Sequence, residues 1–500
     1  MKITTFPSLV TLSLLSALAL PLSSVAQQSR YNLIDIPTLG GPAAIGQVDG
    51  VGISQFINNP GVVVGGSDTL IPDPTAPGCN DCFLVHAFQW QDGTLRDLGA
   101  LPGVNFSHAM SVNARGWATG GSYTGRIDPL KGDISERAVL WRDGGVLDLG
   151  TLGSGIESAA LYVNDAGEVV GFSTIDMTLD SFAAIGLGPF PEHAHGFIWR
   201  NGIMRDLGTL GGPDAFVSGG CNNQHPGLVA GESFLNATPN VSTGFPTLHP
   251  FLWNNGTMTD LGSLGGTVST ALCANNQSQV TGQSSLTGDV NCLFGNPLFT
   301  CNQHAFFWDH GSMTDLGTLG GSFSQAVWLN NIGEVVGGAT TTNDDSFHAT
   351  LWSNGQVTDL GTLDGDCFSI ANSINSSGLI IGQSFSCDFS VSRAVAWQNG
   401  QIFDLNAAVP PNSGLLLAET DNLNDRGEIV GRSLPAGCDN ADVCGRIFLL
   451  VPCHGTSAQP CPAMNLAAET NTAAVIPGAP LTRQFVAKIR ARHSTSFRKK

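Results

Sequence analysis

The chain is written almost throughout in one repeated unit, cleanest from His304 to Gly337: HAFFWDHGSMTDLGTLGGSFSQAVWLNNIGEVVG. Such repetition constrains a fold more than composition does, because units too small to bury a core alone must stack on their neighbours. A His or Arg stands four residues before a Trp at His86/Trp90, Arg137/Trp141, His195/Trp199, His249/Trp253, His304/Trp308, His348/Trp352 and Arg393/Trp397, with Arg446/Leu450 as a degenerate copy. An Asp follows each Trp after seven residues, at Asp97, Asp148, Asp206, Asp260, Asp315, Asp359 and Asp404. An Asn comes next, at Asn113, Asn164, Asn222, Asn275, Asn330, Asn375 and Asn424, and beyond it a Gly such as Gly171 or Gly337 closes an apolar run.

Within the unit the residues read as four short strands. Asp-Gly or Asn-Gly separates the third from the fourth, at Asp92-Gly93, Asp143-Gly144, Asn201-Gly202, Asn255-Gly256, Asn354-Gly355 and Asn399-Gly400; His310-Gly311 departs from the pattern. Those dipeptides tolerate positive φ and mark two-residue hairpin turns. Asn-x-x-Gly, as in Asn113/Gly116 and Asn330/Gly333, suits a type I turn between the first and second strands. With Gln91 facing Thr94, alternation puts His86, Phe88 and Trp90 on one packed face with Leu95 and Asp97. His86 and Asp97 become diagonal cross-strand neighbours, which predicts a ring of structural pairs: His86–Asp97, Arg137–Asp148, His195–Asp206, His249–Asp260, His304–Asp315, His348–Asp359 and Arg393–Asp404.

The two ends of the repeat complete each other. Tyr31 to Gly41 resembles a fourth strand lacking its third, and Arg446 to Leu450 a third lacking its fourth. Pairing them closes a ring, removes its open edges and makes Arg446–Asp35 the last pair. With Ile57-Asn58 and the run to Gly65 supplying the first inner hairpin, each strand type occurs eight times. The expected fold is all-β: an eight-bladed β-propeller of four-stranded antiparallel blades over residues 31–453, with seven blades as the alternative.

Residues 1–26 read as a signal peptide, with Lys2, an apolar run from Leu9 to Leu20 and small residues Ser24, Val25 and Ala26 before the cut. That run is shorter than the ~20 residues of a membrane span, and no later stretch is apolar enough to cross, so no transmembrane segment is expected after cleavage. An exported protein, extracellular or periplasmic, also suits 12 cysteines. Candidate disulfide partners within single connections are Cys79 with Cys82, Cys292 with Cys301 and Cys438 with Cys444; Cys367 and Cys387 flank the seventh inner hairpin on its loop side, Cys453 and Cys461 bracket the exit into the tail, and Cys221 and Cys273, on first strands of successive units, are open to pairing. Residues 462–500 form a basic tail expected to be disordered. It contrasts with a body more acidic than the net charge of -19, which argues against nucleic acid as partner.

Strands alternate in direction, so both tight turns of every unit lie on one face and the longer connections on the other. Connections such as 68–85, 172–194 and 283–303 are long and unequal, which is where binding resides on a rigid scaffold. No G-x-S-x-G, H-E-x-x-H or phosphate-binding loop is present. Glu192-His193-Ala194-His195 invites a metal reading, but His195 is already the repeat His. Loop acids Asp176, Asp180, Asp344, Asp345, Asp364 and Asp366 are expected to be solvated. No catalytic residue, metal or cofactor is therefore assigned.

The HAF and DLG-x-LGG signatures, with VN-x-x-G-x-VVG between them, resemble the HAF-repeat family of extracellular bacterial repeat proteins over about residues 31–450. The strand order is also similar to kelch propellers. The resemblance implies export and a repeat scaffold, with no activity to carry over. The reading is a monomeric binding module for a protein or glycan at the long-connection face. A carbohydrate-active hydrolase or lyase with loop-borne carboxylates is the alternative, and two or three convergent acids with a His or Arg in the central pocket of the long-connection face, unique to one or two units, would favour it.

Overall fold

The computed structural model describes residues 31–45, 55–73, 83–130, 132, 134–179, 192–218, 221, 224–241, 243–288, 302–410 and 412–453. Residues 1–26, expected to be a signal peptide, the basic tail, Asn222, Asp180 and Cys79, Cys82, Cys292, Cys301 and Cys461 lie outside these residues.

Hairpin chemistry sets the local structure. Asp92 (φ 49°) and Gly93 (φ 84°) both take positive φ, as do Asn255 and Gly256 (47° and 107°) and, despite its unusual residue, His310 and Gly311 (47° and 85°). These are the type I′ turns whose twist matches that of the flanking strands. The register follows: Gln91 faces Thr94, Trp90 faces Leu95 and Phe88 faces Asp97.

Six second strands carry, opposite a bulged first strand, a Gly whose necessity is steric: Gly120, Gly171, Gly282, Gly337, Gly382 and Gly431. The first strand is bulged, with register shifts at Ala109/Ser111, Ala160/Tyr162, Ala271/Cys273, Ala326/Trp328, Ala371/Ser373 and Thr420/Asn422. A bulge turns one carbonyl toward the neighbouring strand. A Cβ at Gly337 would lie 2.0 Å from the Gln325 carbonyl oxygen, and one at Gly120 2.1 Å from that of His108. The repeat Gly and the bulge are two sides of one device.

Pairing assembles the hairpins into four-stranded antiparallel sheets. Ser107–Val112, Ala118–Ile127, Ile134–Arg142 and Gly145–Asp148 form one, and Ser158–Val163, Val169–Leu179, Glu192–Arg200 and Ile203–Asp206 the next. From Ala215 to Asp404 the same groups recur, joined only through single parallel residue pairs such as Leu248 with Val268 and Phe347 with Phe368. Tyr31–Ile36 pairs antiparallel with Arg446–Pro452 as the outer strand of the last sheet, so that Leu33 faces Leu450 and Asp35 faces Phe448. The apolar faces meet between sheets: one cluster joins Ile36, Phe88, Trp90, Val112 and Trp141 to Val430, Ile447 and Leu449, residues from both ends of the chain. This is β-propeller architecture. Among the described residues no helix is long and apolar enough to cross a membrane.

Candidate functional site

The third strand of each unit starts, and the fourth ends, on the long-connection face, so the His–Asp pairs stand around the rim of that face. Nδ1 of His86, His195, His249, His304 and His348 lies 2.8–3.0 Å from Asp97, Asp206, Asp260, Asp315 and Asp359. Arg446 lies 3.3 Å from Asp35 across the seam. These pairs are less buried than the packed face expected for them: the His side chains are 14–17% exposed and their Asp partners 41–45%. The edge strand is open to solvent, and each carboxylate also accepts the amide two residues on, as Asp97 does from Gly99 (2.7 Å) and Asp315 from Gly317 (2.7 Å). The Asp of DLG therefore both holds the His and caps its own turn.

Burial alone would raise Asp97, Asp206 and Asp359, but the His and Gly hydrogen bonds outweigh it and hold these carboxyls below their ordinary range. Burial would likewise lower His195; the bond and charge of Asp206, with the Pro213 carbonyl and Asp214, outweigh it and raise its pKa.

Two Arg positions depart from the ring. Arg393 pairs with the fully buried Asp366, which also accepts from Ser384 at 2.7 Å. Asp404 instead caps the 3-10 turn Leu405–Ala408 through Asn406 N–H at 2.8 Å. The pairing Arg393–Asp404 is thus corrected: the carboxylate already withdrawn from water holds the guanidinium, and Asp404 takes the adjacent cap. Asp366 is accordingly no solvated loop acid. Arg137 places its Nε–H on the Ile156 carbonyl at 3.1 Å, with Asp148 near enough to act on it by charge.

The remaining signature residues join successive units. Ala305 N–H, in HAF, donates to Ser324 Oγ of the next unit (2.9 Å), and that hydroxyl donates to the carbonyl of Gly317, in DLG (2.7 Å). Ser107 does the same for Ala87 and Gly99, Ser158 for Ala138 and Gly150, and Ser369 for Ala349 and Gly361. In one unit Asp214 replaces that Ser, accepting from Ala194 N–H at 2.9 Å and pairing with His193 at 3.0 Å.

On the opposite face, the turn Asn residues make a belt. Nδ2 of Asn58 donates to the Asn113 carbonyl (2.7 Å), Asn113 to Asn164 (2.9 Å), Asn275 to Asn330 (3.0 Å), Asn330 to Asn375 (3.3 Å), Asn375 to Asn424 (3.1 Å), and Asn424 back to Asn58 (3.0 Å). The turn reading had not found this role. Its signal is an Asn at that site where Asp or Ser would serve the turn equally: only an amide donates onward while its oxygen caps its own turn, as Asn330 Oδ1 does for Glu334 N–H at 2.9 Å.

Disulfides join Cys367 to Cys387, Cys438 to Cys444, and Cys221 to Cys273 on successive units; Cys453 is disulfide-bonded as well. They fit an oxidising compartment. Among the described residues one group of convergent acids occurs: Asp128, Glu157 and Glu192 meet between two units at the long-connection face. All are at most 1% exposed, so they offer a substrate no approach.

No family model matches the chain, and no curated protein matches it. Solved structures similar to it include the β-propeller domain of the Trilobed protease from Pyrococcus furiosus (8% identity, TM-score 0.41, covering 71% of this chain and 98% of that one). Others are the acylaminoacyl peptidase of Pyrococcus horikoshii (10%, 0.41, 77% and 58%) and TolB from Acinetobacter baumannii (10%, 0.29, 78% and 79%). With identities near 10% and TM-scores below 0.5, these likenesses tie the chain to none of their activities.

Proposed function

We propose that this chain is an exported binding module, an eight-bladed propeller of HAF-repeat type that engages a protein or glycan through its long-connection face. The observation that carries the reading is the redundancy of its polar chemistry. The His–Asp pair has the same geometry in five units and each Asp is shared with its own turn amide. Catalysis needs one poised site, whereas a scaffold needs the same contact at every unit. Individuality lies instead in the unequal connections of the same face, as expected of recognition loops on a rigid frame.

The convergent acids do not favour the hydrolase reading, because they are buried. The test is a glycan array and a reducing-sugar assay, run on the same secreted protein with a pull-down from envelope and culture-fluid proteins. Saturable binding without sugar release is expected. Release of reducing ends, abolished by neutralising a loop carboxylate, would overturn the reading in favour of the enzyme.

A further inference from the structure

Asp128 follows the second strand of one unit, Glu157 immediately precedes the first strand of the next, and Glu192 opens that next unit's third strand. One carboxylate oxygen from each lies within 4.8 Å of those of the other two. Asp128 and Glu157 are 0% exposed and Glu192 1%. Neither oxygen of Glu192 meets a hydrogen-bond donor at bonding geometry among the described residues, and both are cut off from water. A buried carboxylate that faces other carboxylates rather than donors is costly unless a cation or a proton occupies the space between.

We propose that Asp128, Glu157 and Glu192 form a structural site for a divalent cation that favours hard oxygen ligands, calcium above all, stapling two successive units at the long-connection face. The donor set is oxygen only, which suits calcium or magnesium rather than zinc or copper. Ligand atoms that all lie within 4.8 Å of one another can share one ion coordinated at about 2.4 Å, a calcium distance, and a set of three protein carboxylates suits calcium better than magnesium, which keeps several waters and takes one or two carboxylates. The three residues come from three separate segments, so an ion there ties together elements that only the fold brings near. Without an ion, burial first and then the charge of Asp128 push the Glu192 carboxyl up to about 7. A proton shared among the acids is therefore the competing occupant.

The two occupants are separated by titrating the full-length protein, freed of metal by chelator, with calcium in a calorimeter. Thermal unfolding is followed in chelator and in calcium. One ion per chain is expected, with a Kd of about 10⁻³ M or tighter, the range of extracellular calcium modules. Tm should rise by about 2 °C or more in excess calcium. Glu192→Gln should weaken binding at least tenfold and reverse sign in stability, melting at or above the wild type in chelator and below it in calcium. Glu157→Gln is the second variant should the first fail to fold. No heat and no Tm change on adding calcium overturns the site. So does calcium binding that both variants retain, or a Glu192→Gln shift in Tm that is the same with and without calcium.

Discussion

At Asp97, Asp206 and Asp359 one carboxylate answers two donors, a His across the hairpin and an amide of its own turn, and that pairing sets a pH window. The folded pKa of these acids is depressed, so their contribution is present above the unfolded value of about 4 and is lost as pH falls through the folded value. His195 runs the other way. Its folded pKa is raised, so its contribution is full below about 6.5 and disappears as pH rises through the folded value. His195→Gln should therefore flatten the decline of Tm above about pH 6.5 while leaving the profile near pH 5 parallel to the wild type; parallel curves up to pH 9 would remove His195 from the account. At Gly337 the determinant is space. Gly337→Ala sets a methyl 2.0 Å from the Gln325 carbonyl and should cost about 1–3 kcal/mol, as overpacking does, read as a lower urea midpoint. An unchanged midpoint would mean that the bulge is not rigid.

Between elements, the Ser hydroxyl of the first strand is the joint. Ser324→Ala leaves Ala305 N–H and the Gly317 carbonyl without their partner. Ala305 is buried and Gly317 partly so, so the expected loss is about 1–3 kcal/mol, measurable by chemical denaturation; a loss below about 0.5 kcal/mol would show that the joint is held by apolar contact alone. Much of this level was legible in the residues. Asn-Gly and Asp-Gly announced the hairpins, and their register placed His86 diagonal to Asp97, because a two-residue turn leaves no freedom in what faces what. Inter-unit contacts were not legible in the same way. Ser324 and Asn330 look like ordinary strand and turn residues until a neighbouring unit supplies the groups they bond. Arg393 was misassigned for a related reason, since Asp366, which precedes it by a whole hairpin, becomes its neighbour only through the sheet. Glu192, Asp128 and Glu157 come together from three segments that no spacing rule connects.

For the whole molecule, the decisive pairing is Tyr31–Ile36 with Arg446–Pro452. Tyr31 and Ile36 are 4% and 0% exposed, and a fully buried side chain of that size contributes about 1.5–3 kcal/mol. Deleting residues 31–36 should lower Tm by about 5 °C or more and expose the edge of the last sheet, seen as dye binding or dimerisation in scattering. A truncated protein that melts with the full-length one and stays monomeric would show that the ring does not depend on its seam. The Asn424–Asn58 bond crosses the same junction on the other face, so the deletion tests one of two latches. The strand made first by the ribosome is thus the one used last. It must wait, unpartnered, for over 400 residues before its mate exists, and a prematurely ended product can never shut. An incomplete chain keeps an open edge that distinguishes it from a finished one.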